Sequence, residues 1–168
     1  LVGGAGADSL DGGSGTGDFA DYSSSAAGVT VNLTTGSGSG GDAAGDSVIG
    51  IEGLIGSAVT DVLIGDANAN TLIGNAGDDT LQGGAGADSL DGGAGTADFA
   101  DYSGSSAGVT VNLSTGSGSG GDAAGDTITG IEGLFGSTFA DVLTGDGNAN
   151  TLIGNAGDDT LQGGAGAD

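Results

Sequence analysis

The chain contains no lysine, arginine, histidine, cysteine or proline. Its 23 Asp and Glu residues have no side-chain cation to pair with, and the formal charge is −23. A chain without basic residues cannot neutralise phosphates, which excludes nucleic acid and anionic membrane surfaces as partners. The lack of cysteine and histidine excludes disulfides and makes zinc sites improbable. A hard cation such as calcium, held by carboxylates and backbone carbonyls, is the counter-charge that this composition favours.

Catalytic and membrane-spanning features are missing as well. Without His, Cys or Lys the usual nucleophile and base pairings cannot be assembled, so we expect no enzyme activity. No apolar run approaches the ~20 residues that span a bilayer, so we expect no membrane insertion. Glycine is abundant instead, with 42 residues. No helix is predicted, because frequent glycine is costly in a helix interior.

Five nine-residue blocks run head to tail from Gly56 to Ala100: GSAVTDVLI, GDANANTLI, GNAGDDTLQ, GGAGADSLD and GGAGTADFA. Glycine opens every block, Asp or Asn fills position 6 in four of them, and Leu or Phe fills position 8 in all five. This layout matches G-G-x-G-x-D-x-U-x, in which U is a large apolar residue that faces the interior. Two blocks, or 18 residues, make one coil. The pattern therefore predicts an all-β fold, a parallel β-roll (right-handed β-solenoid) with calcium in the turns and two short parallel sheets face to face.

A longer period of 80 residues lies above the nonapeptide. Residues 3–82 and 83–162 align without a gap and differ at 14 positions, none of them acidic. We therefore expect residues 1–168 to form one continuous roll of two units, 3–82 and 83–162. Residues 163–168 would begin a third unit of a longer array. Near-identical long repeats suit length and spacing better than a particular binding site.

Each unit contains a less regular segment, at 21–55 and 101–135. VTVNL at 29–33 alternates apolar and polar residues and is β-branched, which predicts a strand. Residues 34–46 are a loop by composition. SVIGIEGLI at 47–55 returns to register, because Leu54 lies nine residues before Leu63 and Glu52 falls at position 6. The segment is close to four nonapeptides long, and we expect two further coils with one wide loop.

Position 6 residues 18 apart in the chain should lie on the same edge of the roll, one coil above another. One edge would carry Glu52, Asn70 and Asp88, and the other Asp61 and Asp79. The second copy gives Glu132, Asn150 and Asp168, with Asp141 and Asp159 opposite, while Asp8 belongs to the first coil.

On these blocks the chain resembles the repeats-in-toxin (RTX) family of secreted bacterial proteins. The resemblance covers residues 3–20, 56–100 and 136–168 well. It implies that position 6 side chains of two stacked turns bind each of several Ca²⁺ ions together with glycine carbonyls of the turns. The side chains implied are Asp8, Asp18, Asp61, Asp79, Asp88, Asp98, Asp141, Asp159, Asp168, Glu52, Glu132, Asn70, Asn150, Asp66 and Asp146. The carbonyls implied are those of Gly4, Gly6, Gly77, Gly84, Gly86, Gly157, Gly164 and Gly166.

Several blocks depart from the motif. GGAGTADFA has Ala97 at position 6, so either the ligand is missing or the turn is one residue longer and Asp98 takes its place. We favour the longer turn because Asp18 has the same place in the first copy. GDANAN ends on Asn70, a weaker amide ligand that Asp66 could supplement. GSAVTD lacks two glycines and is either a full site or a structural turn, and Glu52 is either a ligand or a solvated turn residue.

The leading prediction for function is a calcium-binding structural repeat of a large secreted or cell-surface bacterial protein, such as an adhesin, surface-layer component or filament. We expect it to be disordered without calcium and a rigid rod with it. The alternative is an RTX tail that assists type I secretion and folding of a toxin, protease or lipase. Ice binding is rejected, since it needs a regular row of Thr and Asx at one turn position and position 5 has none.

Apolar side chains at position 9 should face outward, and Ile55, Ile64 and Ile73 occupy it, with Phe135 and Ile153 in the second copy. Either the VTVNL segment covers them, or they support lateral self-association of rolls. The partners expected are thus calcium, neighbouring repeats of the same chain and a second roll.

Overall fold

The computed structural model of the chain describes residues 1–168 as a stack of eighteen strands of three residues each. The strands are β1 Ser9–Asp11, β2 Phe19–Asp21, β3 Thr30–Asn32, β4 Ser37–Ser39, β5 Ser47–Ile49, β6 Gly53–Ile55, β7 Val62–Ile64, β8 Thr71–Ile73, β9 Thr80–Gln82, β10 Ser89–Asp91, β11 Phe99–Asp101, β12 Thr110–Asn112, β13 Ser117–Ser119, β14 Thr127–Thr129, β15 Gly133–Phe135, β16 Val142–Thr144, β17 Thr151–Ile153 and β18 Thr160–Gln162. Two single 3-10 turns, Gly41–Ala43 and Gly121–Ala123, are the helical elements. No helix is long and apolar enough to cross a membrane.

The strands form two sheets of nine that face each other. The first sheet has the order β1-β5-β4-β3-β7-β9-β11-β15-β17, and the second has β2-β6-β8-β10-β14-β13-β12-β16-β18. Neighbouring nonapeptides pair in parallel and in register, as in Leu72 opposite Leu90. Nine strands at a spacing of about 4.8 Å give a stack roughly 38 Å long. The predicted all-β parallel roll is confirmed.

The core is a single column of side chains between the sheets. Because side chains alternate along a strand, a three-residue strand sends its middle residue inward and its two ends outward. The middle leucines Leu54, Leu63, Leu72 and Leu81 are fully buried, and they belong to a cluster of 22 buried apolar residues. The period of nine thus places one large apolar side chain per strand in the interior.

The less regular segment does not form two further coils, and that prediction is wrong. VTVNL does supply a strand, β3, which pairs in parallel with β7. The chain then reverses through β4, which is antiparallel to both β3 and β5. The expected loop therefore contains a strand, because glycine at positive φ lets the chain turn tightly at Gly36, Gly40 and Gly41. Each unit gains a three-stranded antiparallel excursion within one sheet.

The turn before β11 is one residue longer than a standard block. Asp98, not Ala97, directly precedes the strand, so the register of the following residues shifts by one. A one-residue shift exchanges the two faces of a strand. Ala100 therefore points inward and is fully buried. The expectation that Phe99 fills the interior is wrong: its ring lies on the outer face, where a Cβ on Gly133 would collide with it.

The VTVNL segment does not cover the apolar residues at position 9, because it lies within the sheet as a strand. On the outer face, Ile55 pairs with Ile73, and Phe135 stacks on Phe99 with ring centroids 4.8 Å apart. These side chains are half-buried by one another along the sheet. Lateral self-association through them stays a prediction.

Candidate metal centre

The predicted site residues stand at one structural position, the residue immediately before a strand. This holds for Asp8, Asp18, Glu52, Asp61, Asn70, Asp79, Asp88, Asp98, Glu132, Asp141, Asn150 and Asp159. Because parallel strands of one sheet start at the same edge, these residues form one row along each edge of the roll. The row before the first sheet includes Asp61, Asp79 and Asp98, and the row before the second includes Glu52, Asn70 and Asp88.

Each row is a hydrogen-bonded ladder. Oδ1 of Asp79 accepts the backbone N–H of Asp61 at 2.8 Å, and Oδ1 of Asp98 accepts that of Asp79 at 2.7 Å. On the other edge, Oδ1 of Asp88 accepts the N–H of Asn70 at 2.8 Å. The side chain therefore always reaches back to the turn that precedes it in the stack. One carboxylate oxygen is thereby fixed and the other is left to face the turns.

The second oxygen has no partner at several of these positions. Oδ2 of Asp8, Asp79, Asp88 and Asp98 is buried and makes no hydrogen bond. The whole side chains of Asp79, Asp88 and Asp98 are 0–2 % exposed. A buried carboxylate oxygen without a donor or cation is strongly unfavourable. These atoms indicate that a positive charge completes the ladder, and the chain has none to offer.

The carboxyl groups respond to this environment with raised pKa values. Burial raises the pKa of Asp79 from 3.8 to about 6, and the Asp61 and Asp98 charges add to the effect. Burial likewise raises the pKa of Asp88 to about 7, assisted by the charges of Asp126 and Asp66. The pKa of Asp98 is raised for the same reason. Hydrogen bonds from the ladder oppose each increase but do not cancel it.

Glycine lets stacked turns approach until carbonyl and carboxylate oxygens converge. A Cβ on Gly95 would collide with the Gly77 carbonyl oxygen and with Oδ2 of Asp98. A Cβ on Gly74 would collide with Oδ2 of Asp79 and lie 2.6 Å from the Gly92 carbonyl oxygen. The facing turns 74–79 and 92–98 thus bring two carboxylates and two carbonyls together. All eight glycines implied as carbonyl ligands have positive φ, between 81° and 152°.

This donor set fits calcium better than other metals. Every oxygen comes from a carboxylate or a backbone carbonyl, which are the ligands of a hard cation that takes six to eight oxygens. Nowhere do three or more acidic side chains converge as a metal-holding group. Each ion would therefore draw on at most two carboxylates, with carbonyls of the glycine turns supplying the rest.

Other predicted residues already have their oxygens occupied. Oδ1 of Asn70 accepts the N–H of Asp66 at 2.8 Å, and its Nδ2 donates to the Glu52 carbonyl. The carboxylate of Asp66 is engaged within its own turn by the N–H and Nδ2 of Asn68. Glu52 accepts the Asp18 N–H. The same arrangement recurs at Asp146, Asn150 and Glu132 in the second unit.

Asp61 and its equivalent Asp141 are also saturated. Asp61 accepts hydrogen bonds from the N–H and hydroxyl of Ser57 and from the N–H of Val29, at 2.6 to 3.1 Å. Asp141 accepts the same groups from Ser137 and Val109. The GSAVTD turn is thus held by protein donors.

Sequence reasoning missed two members of the rows, Asp46 and Asp126. Each directly precedes a strand, β5 or β14, and each is 2–3 % exposed. Their oxygens accept a backbone N–H and the hydroxyl of Tyr22 or Tyr102. The signal was present in DSVI and DTIT, which repeat the D-x-U-x end of the nonapeptide, but it follows a loop without the usual glycine spacing.

Comparison with known families agrees with this geometry. The model of the RTX calcium-binding nonapeptide repeat matches four copies at residues 1–17, 55–96 and 135–168, which is more than half of the chain. The matched ranges stop short of the antiparallel excursions. No curated protein matches the chain. The chain belongs to the RTX calcium-binding nonapeptide repeat family.

Proposed function

We propose that this RTX repeat chain is a calcium-stiffened structural segment of a large secreted or cell-surface bacterial protein. The observation that carries the proposal is the set of buried Oδ2 atoms of Asp79, Asp88 and Asp98, which lack any partner in a chain without basic residues. A structure that buries such charges requires a cation from solution. Millimolar calcium outside the cell would supply it.

The turns that would hold the ions are those where free oxygens and carbonyls coincide. Asp79 and Asp98, with the carbonyls of Gly77 and Gly92, would hold one ion between turns 74–79 and 92–98. Asp88 would hold another against turn 65–70, whose Asp66 and Asn68 carbonyls face Gly84 and Gly86. Bound calcium neutralises the carboxylates and ties successive turns together, so its binding free energy contributes to folding.

The near-identity of the two units supports a role in spacing, as in an adhesin, surface-layer protein or filament. Only 14 of 80 positions differ and no acidic residue does, so both copies keep the same ladders. A calcium-dependent RTX tail for type I secretion would use the same switch, because the chain would stay unfolded at low cytosolic calcium. Sequencing the flanking regions separates the two: further 80-residue units support the spacer, and an adjoining catalytic domain supports the tail.

The test is a far-UV circular dichroism titration from EDTA to 10 mM calcium, with magnesium as the control ion. We expect a cooperative transition from coil to β structure with calcium alone, because magnesium dehydrates reluctantly and demands octahedral geometry. Small-angle scattering of the calcium form should give an elongated particle. A full β spectrum in EDTA would contradict the proposal, as would a chain that stays disordered in calcium.

A further inference from the structure

We propose that each 80-residue unit keeps two ladder positions free of calcium, because hydrogen-bond donors of the protein occupy the place of the ion. The metal-free positions are Asp46 and Asp61 in the first unit and Asp126 and Asp141 in the second. The inference rests on the proposed calcium-dependent roll and specifies which of its turns take ions and which do not.

At Asp61 the donors come from a serine in place of the second motif glycine. Ser57 donates its N–H to Oδ2 at 2.6 Å and its hydroxyl to Oδ1 at 2.9 Å, while the Val29 N–H donates to Oδ1 at 2.7 Å. A carboxylate offers about four lone-pair sites. Asp61 is 1 % exposed, so these donors hold its oxygens away from solvent.

At Asp46 the donor is a tyrosine. Oδ1 accepts the Asp8 N–H at 2.8 Å, as in every ladder step, and Oδ2 accepts the Tyr22 hydroxyl at 3.1 Å. Tyr22 is 1 % exposed and its hydroxyl is aimed from the core, two residues after the inward-facing Ala20. The same pair recurs as Asp126 and Tyr102 at 2.9 Å.

The comparison with Asp79 isolates the difference. Its Oδ1 makes the same ladder hydrogen bond, and the side chain is equally buried, yet Oδ2 has no donor. Position 57 of GSAVTD is serine, whereas the corresponding residue of GNAGDD is Asn75, which donates to the Gly56 carbonyl instead. Two classes of buried ladder carboxylate therefore coexist, one saturated by the protein and one open.

The antiparallel excursion explains why the saturated positions lie where they do. An ion requires two stacked turns that both present oxygens, and β4 runs against its neighbours between β3 and β5. On the β3 side, the residue next to Asp61 is Val29, which has no carboxylate. On the β5 side, Asp46 ends the loop that returns from β4. Protein donors fill both borders of the interruption, and the first unit and the second place them on opposite sheets.

The test counts ions per chain in the full 168-residue protein. Chains equilibrated by dialysis against saturating calcium are analysed by inductively coupled plasma mass spectrometry, with circular dichroism as the check on folding. Two variants probe the metal-free positions: Asp61→Asn with Asp141→Asn, and Asp46→Asn with Asp126→Asn. The matched control, Asp79→Asn with Asp88→Asn, removes the same number of charges from open positions.

We expect both probe variants to keep the wild-type number of ions and the control to lose one or two. The Asp46 pair remains decisive if the Asp61 pair does not fold, because an asparagine amide can donate to the Tyr22 hydroxyl oxygen while its carbonyl keeps the Asp8 hydrogen bond. A folded probe variant that loses ions overturns the inference alone. A wild-type chain that binds no calcium, or a control that keeps every ion, overturns the proposed function and the inference with it.

Discussion

Replacing Asp79 with asparagine should have opposite effects with and without calcium. Without calcium, the folded chain must bury the Asp79 charge next to Asp61 and Asp98, and burial raises the pKa from 3.8 to about 6. Since one pKa unit corresponds to about 1.4 kcal/mol, ionised Asp79 destabilises the calcium-free fold by about 3 kcal/mol at neutral pH. Asparagine removes that cost and keeps the Asp61 hydrogen bond through its carbonyl oxygen.

With calcium the same substitution removes a charged ligand. The amide would place a donor where Oδ2 now lies, close to the Gly92 carbonyl, and calcium affinity depends on the number of charged ligands. We expect the calcium midpoint of the coil-to-β transition to rise about tenfold or more, equivalent to at least about 1.4 kcal/mol at that site. In EDTA, the variant should need less acid than the wild type to gain β structure.

The assay is far-UV circular dichroism, recorded once against calcium at neutral pH and once against pH in EDTA. Asp78→Asn is the control, because Asp78 is the exposed neighbour whose oxygen accepts the Thr96 and Ala97 N–H groups. It changes the net charge equally and should move both curves little. If Asp79→Asn shifted both curves in the destabilising direction, the buried charge would not be the source of calcium dependence.

Three further predictions follow from the same structure. In EDTA, β structure should increase as pH falls from about 7 to about 4: the folded pKa of Asp88 is about 7 against 3.8 for an ordinary Asp, so the folded chain binds the proton more tightly and loses this stability as pH rises. Gly93→Ala should destabilise the calcium form by clearly more than Gly13→Ala, its counterpart in the first unit. Both have φ near +80° to +90°, so both incur about 1–2 kcal/mol of strain, but only Gly93 has a carbonyl in the way of a Cβ. Leu81→Ala should cost about 2–5 kcal/mol in chemical denaturation with calcium, and the counterpart Leu161→Ala much less, since Leu81 is fully buried and Leu161 is 47 % exposed.

The regular part of the fold could be predicted from the sequence because each nonapeptide determines its own local structure. Glycine at fixed places permits the turn, the apolar residue at position 8 selects the inward face, and the period of nine fixes register. The stacked pairs Asp61–Asp79 and Asn70–Asp88 follow from that period alone. The longer turn at Asp98 was recognisable because the acidic residue moved with the strand.

The excursions could not be predicted in this way, because their structure depends on contacts between distant residues. Ser25, for example, accepts the N–H of Asp42 and donates to the Ala27 carbonyl, which fixes the loop after β4 against the segment before β3. Composition identified residues 34–46 as a loop and gave no sign of a strand with middle residue Gly38. The saturation of Asp46 by Tyr22 likewise joins residues 24 apart in sequence, with no periodic signal between them.

The excursion also sets how successive units are oriented. From β1 to β10 the chain crosses between the sheets seven times, an odd number, so the second unit begins on the sheet opposite to the first. Six strands of the first unit and three of the second lie in one sheet, and the other sheet has the reverse. Each unit thus advances about 4.5 strand spacings, roughly 22 Å, and turns by half a revolution about the roll axis. In an array of such units, any outer feature, such as the Phe99 ring over Gly133, would return to the same face only after two units. Opposite faces of the rod would therefore carry equivalent surfaces, which suits a spacer better than a one-sided binding platform.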